Sequence, residues 1–142
     1  MPQSSPLTAE DRTAIVGLIA TQNHFLDDWD IEGFVRNFVE DGVFDTVLGH
    51  CEGQDEIRRH FERLGAGRRS GSGRGRHFVG GSAIEGAADR CTVRTNSFRI
   101  HETDHGELSI GGLSEYQDVL VKVDGRWLFK QRHVEDILGK RG

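Results

Sequence analysis

Several features that would mark large protein classes are scarce or missing in this chain. Its 142 residues hold only two cysteines, two prolines and one tyrosine. Cys51 and Cys91 make no Cys-x-x-Cys pair and no disulfide framework, so two reduced thiols of a cytoplasmic protein are expected. No apolar run approaches the roughly 18 residues of a membrane-spanning helix. The opening MPQSSPLT has neither a charged n-region nor an apolar h-region, so no secretory signal is expected. Basic residues are outnumbered, 18 Lys and Arg against 23 Asp and Glu, for a net charge of −5. Domains that live on nucleic acid are usually basic, so this balance argues against such a partner.

What is present describes one folded domain over residues 8–138, between tails at 1–7 and 139–142. Hydrophobic residues make up 35% and eight are Phe, enough for a packed core. Thr8 is placed to cap a helix, and Asp11 suits its first turn. Ile15, Leu18, Ile19, Gln22, Phe25 and Leu26 recur at helical spacing, with Gln22 the polar interruption. DDWD (27–30) breaks the pattern. Ile31, Phe34, Val35, Phe38 and Val39 form a second helical stripe, ended by Asp41-Gly42. A short strand follows over 43–49, then a third helix with Ile57, His60, Phe61 and Leu64 on one face and Gly65 as its stop. The second half reads as strands over 76–85, 90–101, 108–123 and 126–134, with a bend at Gly111-Gly112 and a turn at Asp124-Gly125. Helices first and an antiparallel sheet after them predict an α+β fold with the helices on one face of the sheet.

Two motifs suggest chemistry and fail on context. HETDH (101–105) matches the zinc-protease pattern, which needs a helix to bring both imidazoles to one face. Here both flanks are strand-like and Gly106 follows at once, which predicts a solvated hairpin tip. GRRSGSGRGRHFVGG (67–81) is rich in Arg and Gly but contains neither GxGxxG nor GxxxxGK[ST], and it follows a helix rather than a strand. A flexible loop over 65–76 beside a pocket mouth accounts for it.

The polar residues at the edges of apolar faces carry more. Asp27 ends the first helix and His77 heads an apolar strand. On the last strand, alternation puts Trp127, Phe129, Gln131 and His133 on one side, which its aromatics mark as the core side. A carboxylate, histidines and amides around an apolar cavity can transfer protons. On residues alone, a buried structural His–Asp pair fits equally well.

The stretches LDDWDIEGFVRNFVEDGVFDT, CEGQDEIRRHF, GRHFVGG and LSEYQDVLVKVDGRWLFKQRHV, in that order, resemble the SnoaL-like branch of the nuclear transport factor 2-like superfamily. The resemblance implies a cone-shaped barrel, a strongly curved antiparallel sheet around N-terminal helices with a deep pocket in its mouth. Within that branch the chain resembles most the Asp–His dehydratases and dehydrochlorinases, such as scytalone dehydratase. These enzymes use no cofactor and require no metal. Fourteen positions separate Asp27 from Asp41, the spacing their aspartate keeps from the acidic residue closing helix two. His77 stands where their histidine heads the strand after helix three. Where relatives carry a Lys or Tyr that helps the leaving group, this chain has Gln22, a poor proton donor. Arg132 or His133 fills the place of a basic residue on the last strand, and alternation favours His133.

The resemblance thus implies a dehydratase-like lyase acting on a small, largely apolar, polycyclic or polyketide-like molecule. His77 is the expected base and Asp27 its partner. Phe25, Phe44, Phe78, Trp127 and Phe129 are the expected pocket lining, and Gln22, Gln131, Arg132 and His133 the groups that hold an oxygen. An isomerase or cyclase with the same dyad, or a non-catalytic binding or assembly module, are the alternatives. Relatives form homodimers or homotrimers. The dyad requires the Asp27 carboxylate within about 3.2 Å of the His77 ring.

Overall fold

A computed structural model describes residues 5–68 and 75–138 of the chain. Helix α1 spans Ala9–Asp27, α2 Ile31–Arg36 and α3 Gln54–Arg68. The strands are β1 Phe38–Thr46, β2 Gly49–Glu52, β3 Gly75–Ala87, β4 Arg90–Glu102, β5 Leu108–Val123 and β6 Arg126–Asp136. They form one sheet in the order β2-β1-β6-β5-β4-β3. The α+β class stands, with two refinements. The sheet is open rather than a closed barrel, and β1 runs parallel to β6 while every other pair is antiparallel.

Thr8 starts α1 through a reciprocal capping box with Asp11. The same Asp11 carboxylate accepts from Lys122 Nζ at 2.9 Å and Trp127 Nε1 at 3.1 Å. The Thr8 N–H and the Lys122 ammonium hold this carboxyl well below the usual carboxylate range. One end of α1 is therefore pinned to β5 and β6. Ile15 and Ile19 are fully buried beneath the helix. In the core, Phe34, Phe38, Phe44, Phe61 and Phe129 pack with ring centroids 5.0 to 6.0 Å apart. Cys51 and Cys91 are unpaired core residues, and burial pushes the Cys91 thiol up to about 11.

Four expectations about local structure are corrected. Helix α2 stops at Arg36, because Phe38 leaves the helix to enter the sheet opposite Phe129, and Asp41 lies in β1. The strand expected over 43–49 is a hairpin, with a tight turn at Val47-Leu48 before β2. Gly65 does not stop α3, which continues to Arg68; a Cβ at Gly65 would stand 3.2 Å from the Trp29 indole, so glycine lets that ring lie against the helix. Of the expected N-terminal tail, Ser5–Leu7 pack: Pro6 bridges to Ala87 and Leu7 is buried. The remainder of that tail, residues 69–74 of the Gly/Arg loop and the tail at 139–142 lie outside the described residues.

A bulge in β6 decides which residues face inward. Leu120 pairs with Phe129 and Val119 with Gln131, so Lys130 is extra and the alternation reverses. Lys130 and Gln131 are both exposed, and beyond them Arg132, not His133, is buried. Arg132 makes a bidentate ion pair with Asp118 at 2.8 and 2.9 Å, both side chains at most 2% exposed. Its guanidinium stacks 4.1 Å above the Tyr116 ring. An Asp118→Ala variant leaves that buried charge unpaired and is expected to lose about 3–5 kcal/mol, read as a lower urea midpoint.

Candidate active site

The break after α1 assembles the site. Trp29 takes a left-handed conformation (φ 57°), which turns the chain sharply between the helices. Its neighbours use their carboxylates in three ways. Asp30 caps α2 by accepting from Gly33 N–H at 3.0 Å. Asp28 accepts from Arg76 at 2.9 Å, and Asp27 takes His77. The consecutive pair Asp27-Asp28 thus grips the consecutive pair Arg76-His77 at the start of β3.

The Asp27 grip is double. Its Oδ1 lies 2.6 Å from His77 Nδ1, and its Oδ2 accepts from the His77 backbone N–H at 2.9 Å. The Asp27 side chain is only 4% exposed and the imidazole 21%. An ionised carboxylate only accepts, so the proton of a neutral ring sits on Nδ1 and Nε2 carries the lone pair. Nε2 has no bonded partner among the described residues.

His77 lines a cleft of about 330 Å³ between the helices and the sheet. Leu26, Phe44, Phe61, Leu64 and Val134 supply an apolar wall, and exposed Val47 and Leu48 stand at its rim. Polar groups are few: Thr46, His60, Ser97, Arg99, Ser114 and Tyr116. Tyr116 Oη accepts from Ser97 at 3.0 Å and donates to Asn23 of α1 at 3.2 Å. An apolar cavity with a small set of placed polar groups suits a small, mostly apolar molecule.

Of the residues singled out in the sequence, His77 and Phe44 line this cleft, and Asp27 reaches it only through its bond to the His77 ring. The others lie elsewhere. Gln22 is fully buried, bonded to the Phe34 carbonyl and to Asn37, and joins α1 to α2. The Phe25 ring fills the space over Gly33, where an added Cβ would stand 2.6 Å from it. Trp127 is held by Asp11 at the other end of α1, and Phe129 is sealed in the core. Phe78 stacks on Phe98 across β3 and β4 with half its surface exposed. Gln131 and His133 are turned outward by the β6 bulge, and Arg132 faces inward but is committed to Asp118. HETDH closes a hairpin, with Thr103 N–H donating to the Glu107 carbonyl, as its flanks predict.

His60, Ser97, Arg99 and Tyr116 were not read as site residues. His60 carried a signal, a polar side chain on the apolar face of α3. Tyr116, the single tyrosine, carried a weaker one in its strand alternation.

The SnoaL-like domain family matches residues 7–133. The chain belongs to the SnoaL-like family. Solved structures share the fold. A protein of unknown function with a cystatin-like fold from Nostoc punctiforme is 25% identical at a TM-score of 0.81, covering 94% of this chain and 96% of its own. Rv3472 from Mycobacterium tuberculosis, of unknown function, is 31% identical at 0.77, covering 89% and 71%. A scytalone dehydratase-like protein from Novosphingobium aromaticivorans is 24% identical at 0.76, covering 90% and 85%. No curated protein matches the SnoaL-like chain.

Outside the cleft, His133 bridges Glu135 at 2.8 Å and Asp45 at 2.6 Å. Glu135 and then Asp45 raise its pKa above the ordinary 6.5. A raised value favours the folded state while the ring is protonated. That contribution is complete below pH 6.5 and is lost as pH rises through the higher folded value. Thermal melts of His133→Gln across this window are expected to show a flatter decline with rising pH than the parent.

Proposed function

We propose that this SnoaL-like protein is a cofactor-independent lyase that eliminates a leaving group, water first among them, from a small, largely apolar molecule. The Asp27–His77 pair in an apolar cleft carries this reading. With Nδ1 held by the carboxylate, Nε2 is the ring atom left to take a proton from carbon. As the ring becomes cationic, Asp27 sits 2.6 Å from the new charge and stabilises it without taking the proton. The bond from Asp27 to the His77 backbone fixes the ring's root as well as its face, so little reorganisation is needed.

Isomerisation or cyclisation would begin with the same proton removal. The likeness to a scytalone dehydratase-like protein supports elimination as the first choice. The cleft is open and partly polar, as a catalytic site needs, whereas a purely structural His–Asp pair needs no adjoining cavity.

Proton removal can be followed without knowing the natural substrate. 2-Tetralone is a small bicyclic ketone with acidic C–H bonds, and its exchange in D2O is visible by proton NMR. The protein is expected to accelerate exchange at C1, and His77→Ala to reduce that acceleration by roughly 10²- to 10⁴-fold. Equal acceleration by His77→Ala, with the variant folded, would sink the base assignment.

A further inference from the structure

Among the described residues that line the cleft, Arg99 alone carries a permanent charge, and no Asp or Glu stands with it. It is partly buried on β4, directly opposite His77 on β3. Strand alternation gives Ser97 and Arg99 the cleft face, while Phe98 between them turns to stack on Phe78. Gly75 makes the room. An added Cβ there would stand 2.5 Å from Arg99 Cζ and 2.7 Å from Nε, so the guanidinium lies over bare backbone, two residues before His77 on the same strand face. Among the described residues Arg99 has no hydrogen bond and no ion pair. The carboxylates of that corner are engaged, Asp27 with His77 and Asp28 with Arg76. Glu102 leans to the hairpin, its Oε1 3.7 Å from where a Cβ on Gly106 would stand. Residues 1–4, 69–74 and 139–142 contain no Asp or Glu, so no acidic side chain among them can pair with Arg99. The chain has 23 acidic residues against 18 Lys and Arg, so the guanidinium is not unpaired for want of carboxylates. Partly buried charges are ordinarily paired, and here a ligand anion would complete the pair.

We propose that the cleft takes an apolar organic acid, and that Arg99 holds its carboxylate while the hydrocarbon body lies along Phe44, Phe61 and Leu64. That this acid is a substrate rests on the Asp27–His77 reading; the anion contact does not. The planar guanidinium fork matches one carboxylate with two parallel N–H···O bonds. A single cation suits a monoanion better than a phosphate dianion, and the apolar wall favours an anion with a hydrocarbon body. The hydroxyls of Thr46, Ser97 and Tyr116 are already bonded within the protein, which leaves Arg99 as the strongest open donor. The carboxylate takes no part in the bond changes. It is an anchor beside His77, and it selects which C–H of the body meets Nε2.

The test uses two flat probes of nearly equal shape that differ in charge, 2-naphthoate and 2-naphthamide. Titration calorimetry at neutral pH is expected to show the parent protein binding naphthoate about 10- to 100-fold more tightly. Arg99→Met keeps the stem and is expected to lose that preference with naphthamide binding unchanged. Arg99→Lys, which keeps the charge without the fork, is expected to retain part of it. His77→Ala is expected to keep it whole. In the parent protein, the Arg99 Nε–H proton resonance is expected to move further with naphthoate than with naphthamide, a reading independent of how any variant folds. A parent without the preference, a preference intact in folded Arg99→Met, its loss in folded His77→Ala, or a resonance that does not distinguish the probes overturns the assignment. An Arg99-dependent preference in a protein that exchanges no tetralone proton supports the anion contact and counts against the dyad. Tetralone exchange without the preference sinks the anion contact and leaves the dyad standing.

Discussion

The two bonds from the Asp27 carboxylate to His77 hold the site together. One oxygen takes the backbone N–H at the head of β3 and the other takes the ring, so a single side chain joins the end of α1 to the edge strand and sets the tautomer of the histidine. Asp11 performs the matching task at the other end of α1, joining it to β5 and β6 through Lys122 and Trp127. Between them Gln22 ties α1 to α2, and Asn23 meets Tyr116 from the sheet. The helix is thereby fixed by polar contacts at four places, three to the sheet and one to α2, while Ile15 and Ile19 supply the burial beneath it. Because one carboxylate takes both the backbone N–H and the ring, it cannot be moved without moving the His77 imidazole.

The cleft exists because the sheet is covered unequally. The phenylalanine cluster fills the space where α2 and α3 meet β1 and β6, and the helices leave the far ends of β4 and β5 less covered. A bulge in the β4–β5 ladder at Gly112 lies in the wall of the cleft, and a second, in β6 at Lys130, lies further along β5. The same bulge in β6 sends Arg132 inward and His133 outward. Arg132 then gives its charge to Asp118 and stacks on the ring of Tyr116, which lines the cleft, so it offers no free cation there. The two histidines left in the cleft differ in one respect that matters chemically. His77 has a carboxylate beside it, whereas His60 lies among aromatic rings and burial holds its pKa below the ordinary value.

Much of this was legible along the chain. The amphipathic spacing of Ile15, Ile19 and Leu26 marked α1, Thr8 marked its start, and DDWD marked its end, because these depend on neighbours within one or two turns. The order of helices and strands was enough for the α+β class. Asp27 and His77 stood out as polar residues at the ends of apolar elements. The spacing to Asp41 pointed to Asp27 even though Asp41 lies in a strand, since both positions keep their order along the chain whatever element Asp41 occupies.

Periodicity and capping are local, so the helix starts, the four long strands and the residue types available for proton transfer could be read along the chain, whereas the end of α2 and the β1–β2 hairpin could not. Packing between elements settled which side chains share a cavity. The face presented by β6 turned on one extra residue, Lys130, which strict alternation cannot register. Whether Gln22 and Phe25 met a cleft or α2 depended on the angle between two helices. His60 came to line the cleft because Phe44 of β1 and Gly49 of β2 meet it from the sheet. Those contacts join residues remote in the chain, and long-range packing sets them where no local rule applies.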